Sequence, residues 1–321
     1  MKGVYEMFLI IRQAAKKHEE DISLQHFSRV QLYCPFGTNT RILLTICASG
    51  LYVKYLLGLH IYKVISTRKE LMIDLEGKIA VITGAGGDIG CTTAVTLAKQ
   101  GASTVAVDID ENAVNETVKV VQDTGGKAEF AIADVTRPED VEAYVKKAVS
   151  TFGGIDLFFN NAGIEGEGGS IVETTVEDFD KVLAVNVKGM FLGLKYTLPR
   201  MNKGGAVVNT ASVAGLGGSP GMVAYVASKH AVIGITCTAA LEAAAMGIRV
   251  NAVCPAPIKG RMMDSIEKNL DTSEDTFEQS IPMGRYGKVQ EVANLVTMLL
   301  SDEASYLTGS FYTVDGGLTA S

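Results

Sequence analysis

Tyr225 and Lys229 stand four residues apart in a segment of helical pattern, so their side chains share one helix face. A free phenol has a pKa of about 10 and is a slow base at neutral pH. A neighbouring ammonium favours the phenolate and can lower that value by about 1–3 pH units. The pair therefore has the makings of a general acid/base. Ser212, thirteen residues upstream at the end of the run AVVNTAS, can hold a substrate oxygen while the phenol exchanges its proton. Tyr-x-x-x-Lys spacing is common by chance, and ordinary helix packing explains most instances. What surrounds the pair must decide.

Upstream, the run Thr83–Gly90 reads TGAGGDIG and lies between a strand pattern and a helix pattern. Glycines at such a turn let the backbone approach a pyrophosphate, whose charge then faces the helix N-terminus. Gly84, Asp88, Ile89 and Gly90 are the candidate contacts. Asp108 ends the next strand, 18 residues beyond Gly90, close to the interval of about 20 expected for a carboxylate that binds adenosine ribose hydroxyls. Ile109, Asp110 and Glu111 follow, with no cation to receive a 2′-phosphate, so NAD is expected over NADP. Asp134-Val135 ends the third strand, where the carboxylate can reach an adenine amino group. Asn160-Asn161-Ala162-Gly163 ends the fourth in a small polar turn suited to packing beside a cofactor. Each alone is unremarkable; their recurrence at successive strand ends is the signal.

The elements that hold these residues alternate regularly. Short apolar runs (KIAVIT, STVAVD, AEFAIA, IDLFFN, AVVNT, IRVNAV, SFYTV) are separated by helical stretches such as Thr92–Gln100, Asn112–Thr124 and Glu139–Phe152. That pattern predicts an α/β fold, a doubly wound parallel sheet with helices on both faces. One Rossmann-type domain is expected over residues 72–321. Residues 1–71 read differently. They hold ten of the 29 Lys/Arg and five of the 36 Asp/Glu, a net of +5, whereas the other 19 basic and 31 acidic residues give the remainder −12. An acidic body repels phosphate backbones, so no nucleic-acid partner is expected. Three of the four histidines also fall in residues 1–71, leaving His230 to the body, and the five cysteines share no metal-like spacing. No metal site is expected. The apolar stretch Ile42–Ile65 is long enough to span a bilayer, but Lys54 sits near its middle. Three readings of this segment stand: an extension outside the mature protein, a membrane-associating anchor, or a soluble accessory segment. Met72 opens a natural start for the body, for which a cytoplasmic location is expected.

Over Leu75–Gly317 the sequence resembles the short-chain dehydrogenase/reductase family, on Thr83–Gly90, Asp108, Asp134, Asn160–Gly163, Asn186 within NVKGMF, Ser212, Tyr225 and Lys229. The resemblance implies a seven-stranded sheet, a catalytic tetrad of Asn186, Ser212, Tyr225 and Lys229, and a homotetramer built on the helices around Asn186 and Tyr225. It implies that Asn186 holds a water linked to Lys229, that Tyr225 and Lys229 also contact the cofactor, and that Pro255 and Ile258 do so after the sixth strand. FFNNAGIEG, VVNTASVAG and RYG are similar to members acting on cyclic alcohols and ketones. The implied activity is NAD-dependent hydride transfer with a small secondary alcohol or ketone. The alternatives are an NADPH-dependent oxoacyl-thioester reductase and a non-catalytic dinucleotide-binding regulator. Three positions depart from the family. Asp88 replaces the second turn glycine, so its carboxylate is expected to turn outward. Ala256 replaces the glycine after Pro255, and Gly260 replaces a threonine. The substrate pocket is expected from Ile164–Ser170 and Ile258–Pro282, with Glu165, Glu167, Met222, Met262 and Met263 lining it.

Overall fold

The computed structural model describes residues 73–320 and, before them, the strand residues 28–33, 41–47, 50–55 and 63–64. The chain divides into two compact units, Met1–Met72 and Ile73–Ser321. In the first, β1 (Ser28–Tyr33), β2 (Arg41–Cys47), β3 (Gly50–Tyr55) and β4 (Lys63–Val64) form an antiparallel sheet in that order. The described parts of Ile42–Ile65 are thus short strands rather than one spanning helix; the rest of that stretch, and His18, His26 and His60, lie outside the described residues.

The second unit alternates strand and helix as the apolar runs require. Its elements are β5 (Ile79–Thr83), α1 (Asp88–Lys99), β6 (Ser103–Asp108), α2 (Glu111–Asp123), β7 (Lys127–Ile132), α3 (Pro138–Phe152) and β8 (Ile155–Asn160). Then follow α4 (Val176–Leu183), a π-helical turn (Ala184–Gly189), α5 (Met190–Thr197), β9 (Met201–Thr210), α6 (Val223–Ala244) and β10 (Arg249–Pro255). The chain closes with α7 (Arg261–Asn269), α8 (Glu274–Ser280), α9 (Val289–Leu300) and β11 (Phe311–Val314). α1 begins at Asp88, before the expected Thr92, because the glycine turn itself starts the helix and an acidic first residue suits its positive end.

All seven strands pair in parallel, in the order β11-β10-β9-β8-β5-β6-β7. Side chains alternate between two cores. Ile82, Leu157 and Phe159 pack with Leu97 of α1, Val118 of α2 and Val296 of α9. Val81, Val107 and Phe158 pack on the other face with Tyr144 of α3, Leu192 of α5 and Ala240 of α6. Burial on both faces is why the strands are apolar throughout. The chain leaves β5 toward β6 and β7, then returns to β8 on its other side. The two halves part at the C-terminal ends of β5 and β8, where such sheets bind ligands.

Candidate active site

The glycine turn is tied to its neighbours before any ligand is considered. The Thr83 hydroxyl accepts the N–H groups of Asn161 (2.9 Å) and Ala162 (3.1 Å). Asn161 Nδ2 donates to Thr83 O at 3.1 Å, and Thr210 Oγ1 donates to Asn161 Oδ1 at 3.0 Å. The ends of β5, β8 and β9 are so locked together. Gly84 has φ +63°, and a Cβ there would stand 2.9 Å from Ala162 Cα. A Cβ on Gly90 would overlap the Gly84 carbonyl oxygen. Only glycine fits either position. Asp108 Oδ2 accepts Gly86 N–H at 2.8 Å and Oδ1 accepts Asp110 N–H at 3.0 Å, which holds the carboxylate against the turn.

α6 carries Tyr225 and Lys229 on successive turns, with Lys229 Nζ 5.4 Å from the Tyr225 ring centroid. Both are buried, as is Ser212, two residues past the end of β9. Burial is the largest influence on each ionisable group. It pushes the Tyr225 phenol up to about 12, against the Ser212 side chain, which pulls it down, and with the Glu165 carboxylate, which raises it further. It pulls the Lys229 ammonium down to about 8. The sequence-based expectation that Lys229 sets the phenol low is therefore corrected: desolvation raises the phenol, and the group that pulls it down is Ser212. Lys229 Nζ donates to Thr210 O at 2.9 Å.

Asn186 lies wholly buried in the π-helical turn. Its Oδ1 accepts Ile164 N–H at 2.8 Å, and its Nδ2 donates to Ile164 O at 2.8 Å and to Ser228 Oγ at 3.0 Å. The side-chain amide braces the Gly163–Ile164 turn instead of presenting an open group to Lys229. Gly163 is pressed close, since a Cβ there would stand 3.1 Å from Asn186 Oδ1.

A cavity of about 1320 Å³ joins these parts. Gly84, Asp88, Ile89, Gly90, Asp108, Asn161, Ala162, Gly163, Ser212, Tyr225, Lys229, Pro255 and Ile258 all line it. Asp134 and Val135 do not. Asp134 Oδ1 instead accepts the N–H and hydroxyl of Thr136, both at 2.8 Å, closing a local turn. Glu165, Met222, Met262 and Met263 line the cavity as expected, joined by Ile266, Phe277 and Leu318, whereas Glu167 is exposed outside it. Ala256 is unstrained, because the positive-φ non-glycine among the described residues is Asp271. Asp88 turns onto the start of α7 with its side chain 37% exposed, and its Oδ2 accepts Arg261 N–H at 2.8 Å. Arg261 was not anticipated; a lone Arg after Gly260 has no distinguishing spacing.

The arrangement fits a dinucleotide. Glycines whose side chains would block the turn, an α1 N-terminus that no side chain caps, and a carboxylate at the β6 end all face one cavity. No group of His, Cys, Asp and Glu among the described residues is arranged to hold a metal ion.

Comparison with known proteins agrees with this geometry. A family model described as enoyl-(acyl carrier protein) reductase matches residues 84–319. The chain is 46% identical over 247 residues to cyclohexanol dehydrogenase of Acinetobacter sp. (strain SE19), covering 76% of this chain and 96% of that protein. The crystal structure of levodione reductase superposes with a TM-score of 0.75 at 40% identity, over 77% of this chain and 99% of the other. The crystal structure of NAD+-bound xylitol dehydrogenase does so with a TM-score of 0.72 at 36% identity, over 76% and 99%.

Proposed function

The chain belongs to the short-chain dehydrogenase/reductase family, and from that premise we propose that it is an NAD-dependent dehydrogenase of cyclic secondary alcohols, working also as a reductase of the corresponding ketones. The observation that carries this reading is the convergence of Tyr225, Ser212 and Lys229 on the cavity that Asp108 and the glycine turn also face. A bound nicotinamide dinucleotide supplies the carbon that accepts or gives the hydride. Tyr225 takes the alcohol proton in oxidation and returns it in reduction, and the Ser212 hydroxyl holds the substrate oxygen. A phenol held near 12 is protonated at neutral pH, the state from which the reductive direction starts. Lys229 keeps most of its charge at neutral pH, which supports the phenolate while the proton is away, and we assign its Nζ to the nicotinamide ribose as well.

Asp108 supports NAD over NADP. Its carboxylate is fixed by two backbone N–H groups, and exposed Ile109 follows, so a 2′-phosphate would meet a fixed negative charge with no cation among Ile109, Asp110 and Glu111. The apolar wall of Met222, Met263, Ile266, Phe277 and Leu318 supports a compact carbocyclic substrate, as does the likeness to cyclohexanol dehydrogenase. A likeness to a 3-oxoacyl-(acyl-carrier-protein) reductase of Thermotoga maritima, at 41% identity, favours a second reading, reduction of an oxoacyl thioester, against which Asp108 counts where NADPH is the donor. We assign a cytoplasmic location and a homotetrameric state as parts of the same proposal; exposed Phe191 on α5 and Leu241 on α6 suit burial by other copies. The test is a turnover screen of cyclic and linear secondary alcohols and of oxoacyl thioesters with both cofactors. Turnover of cyclohexanol-type substrates with NAD supports the proposal, and turnover confined to thioesters with NADPH contradicts it.

A further inference from the structure

Asp88 opens α1 and Gly260-Arg261 opens α7, yet the three interlock. Asp88 Oδ2 accepts Arg261 N–H at 2.8 Å, Asp88 Oδ1 accepts Arg261 Nε–H at 3.3 Å, and Arg261 Nη2 donates to the Gly86 carbonyl. A Cβ on Gly260 would stand 2.5 Å from Asp88 Oδ2. The Asp88 side chain thus fills the space that any side chain at position 260 would need. Two departures from the family pattern are one structural choice made at two positions.

Charge gives the choice a purpose. Asp88 sets a carboxylate at the helix N-terminus where a pyrophosphate is to lie, and like charges there repel. Among the described cations lining the cavity, Lys229 is bound to Thr210 O beside Tyr225, and Lys259 Nζ lies 3.0 Å from Glu274. Arg261 alone of these is fastened to the glycine turn. A guanidinium has five N–H donors in a planar fork, of which Asp88 and Gly86 take two, leaving others for phosphate oxygens.

We propose that Asp88, Gly260 and Arg261 form a latch that fastens α7, one wall of the cavity, over the glycine turn, and that Arg261 is a positioning residue for the pyrophosphate of the bound dinucleotide. The phosphate role rests on the reading that the cavity holds a nicotinamide dinucleotide; the latch does not. Asp88 is tolerated because Arg261 offsets it, and a side chain at position 260 would have to displace the Asp88 carboxylate from its bonds to Arg261.

The test is a set of variants assayed for binding and melting rather than turnover. Kd for NADH, ADP and adenosine is measured by titration, together with Tm of the unliganded protein. Arg261→Gln should weaken NADH and ADP by at least about tenfold and leave adenosine little changed. The same substitution in an Asp88→Gly background should cost much less, because the uncompensated carboxylate is gone. Gly260→Thr should lower Tm and weaken NADH, and Asp88→Gly combined with Gly260→Thr should restore both. Unchanged ADP binding in Arg261→Gln, or an equal loss for adenosine, overturns the phosphate role. A Gly260→Thr defect that Asp88→Gly does not rescue overturns the latch. Absence of NADH binding by the unmutated protein would instead refute the dinucleotide reading and the phosphate role with it, and the melting temperatures would still decide the latch.

Discussion

Lys229→Met separates what the protein needs for chemistry from what it needs for stability. Lys229 is 3% exposed, and burial pulls its ammonium from the ordinary 10.5 down to about 8. The folded state therefore binds fewer protons than the unfolded state between those values. The fold carries the full penalty below about pH 8 and sheds it as pH rises toward about 10.5. At about 1.4 kcal/mol per pH unit, that penalty is of the order of 3 kcal/mol at neutral pH. Against it stands the bond from Nζ to Thr210 O at 2.9 Å, worth about 1.5–3 kcal/mol while the donor is charged. At neutral pH the two nearly cancel, so the Met variant should unfold within about 1–2 kcal/mol of the unmutated protein while losing turnover and cofactor affinity. Near pH 10 the penalty is largely gone, and the unmutated protein should have gained about 2–3 kcal/mol relative to the variant. Urea unfolding of both proteins at the two pH values reads this difference directly. Tyr225 and Cys254, which burial raises, titrate in both proteins and largely cancel. A difference in stability that does not change with pH refutes the claim that the ammonium is held at a desolvation cost.

Three further outcomes are expected. Asp108→Ser with Ile109→Arg should narrow or reverse a preference for NAD of at least about 10²-fold in kcat/KM, since each lost carboxylate–hydroxyl bond is worth about 1.5–3 kcal/mol; equal efficiency with both cofactors in the unmutated protein would mean that Asp108 does not face the ribose. Gly90→Ala places a methyl on the Gly84 carbonyl and should destabilise by at least about 1–3 kcal/mol in denaturant melts while weakening NADH binding. A chain starting at Met72 should keep the Tm and turnover of the body, because the described packing begins at Ile73 and Leu75, whose N–H bonds to Gln100 O at 2.8 Å; loss of either would show that residues 1–71 support the enzyme.

The sheet was legible because a parallel strand buried on both faces has little choice of residue, as IAVIT and IDLFFN show. Much of the site was legible for a related reason. Glycines where a Cβ cannot fit and a carboxylate at a strand end leave marks at fixed offsets. What the sequence hid depends on three-dimensional surroundings. The four-residue spacing announced an ammonium near a phenol but not that burial would raise the phenol, with Ser212 the group that lowers it. Asp134 read like Asp108, yet its carboxylate turns to Thr136 while that of Asp108 turns to Gly86. Nothing in the local sequence marks Arg261, because its partner is 173 residues away.

We propose that Tyr225 carries the proton of a hydride transfer to NAD. Tyr225→Phe keeps the ring against Lys229 and removes only the hydroxyl, so it tests that claim most directly. NADH formation from cyclohexanol should fall by at least about 10²–10⁴-fold, while NADH binding, measured on the same preparation, stays within about twofold. Near-native turnover in the Phe variant would mean that Tyr225 is not the proton carrier.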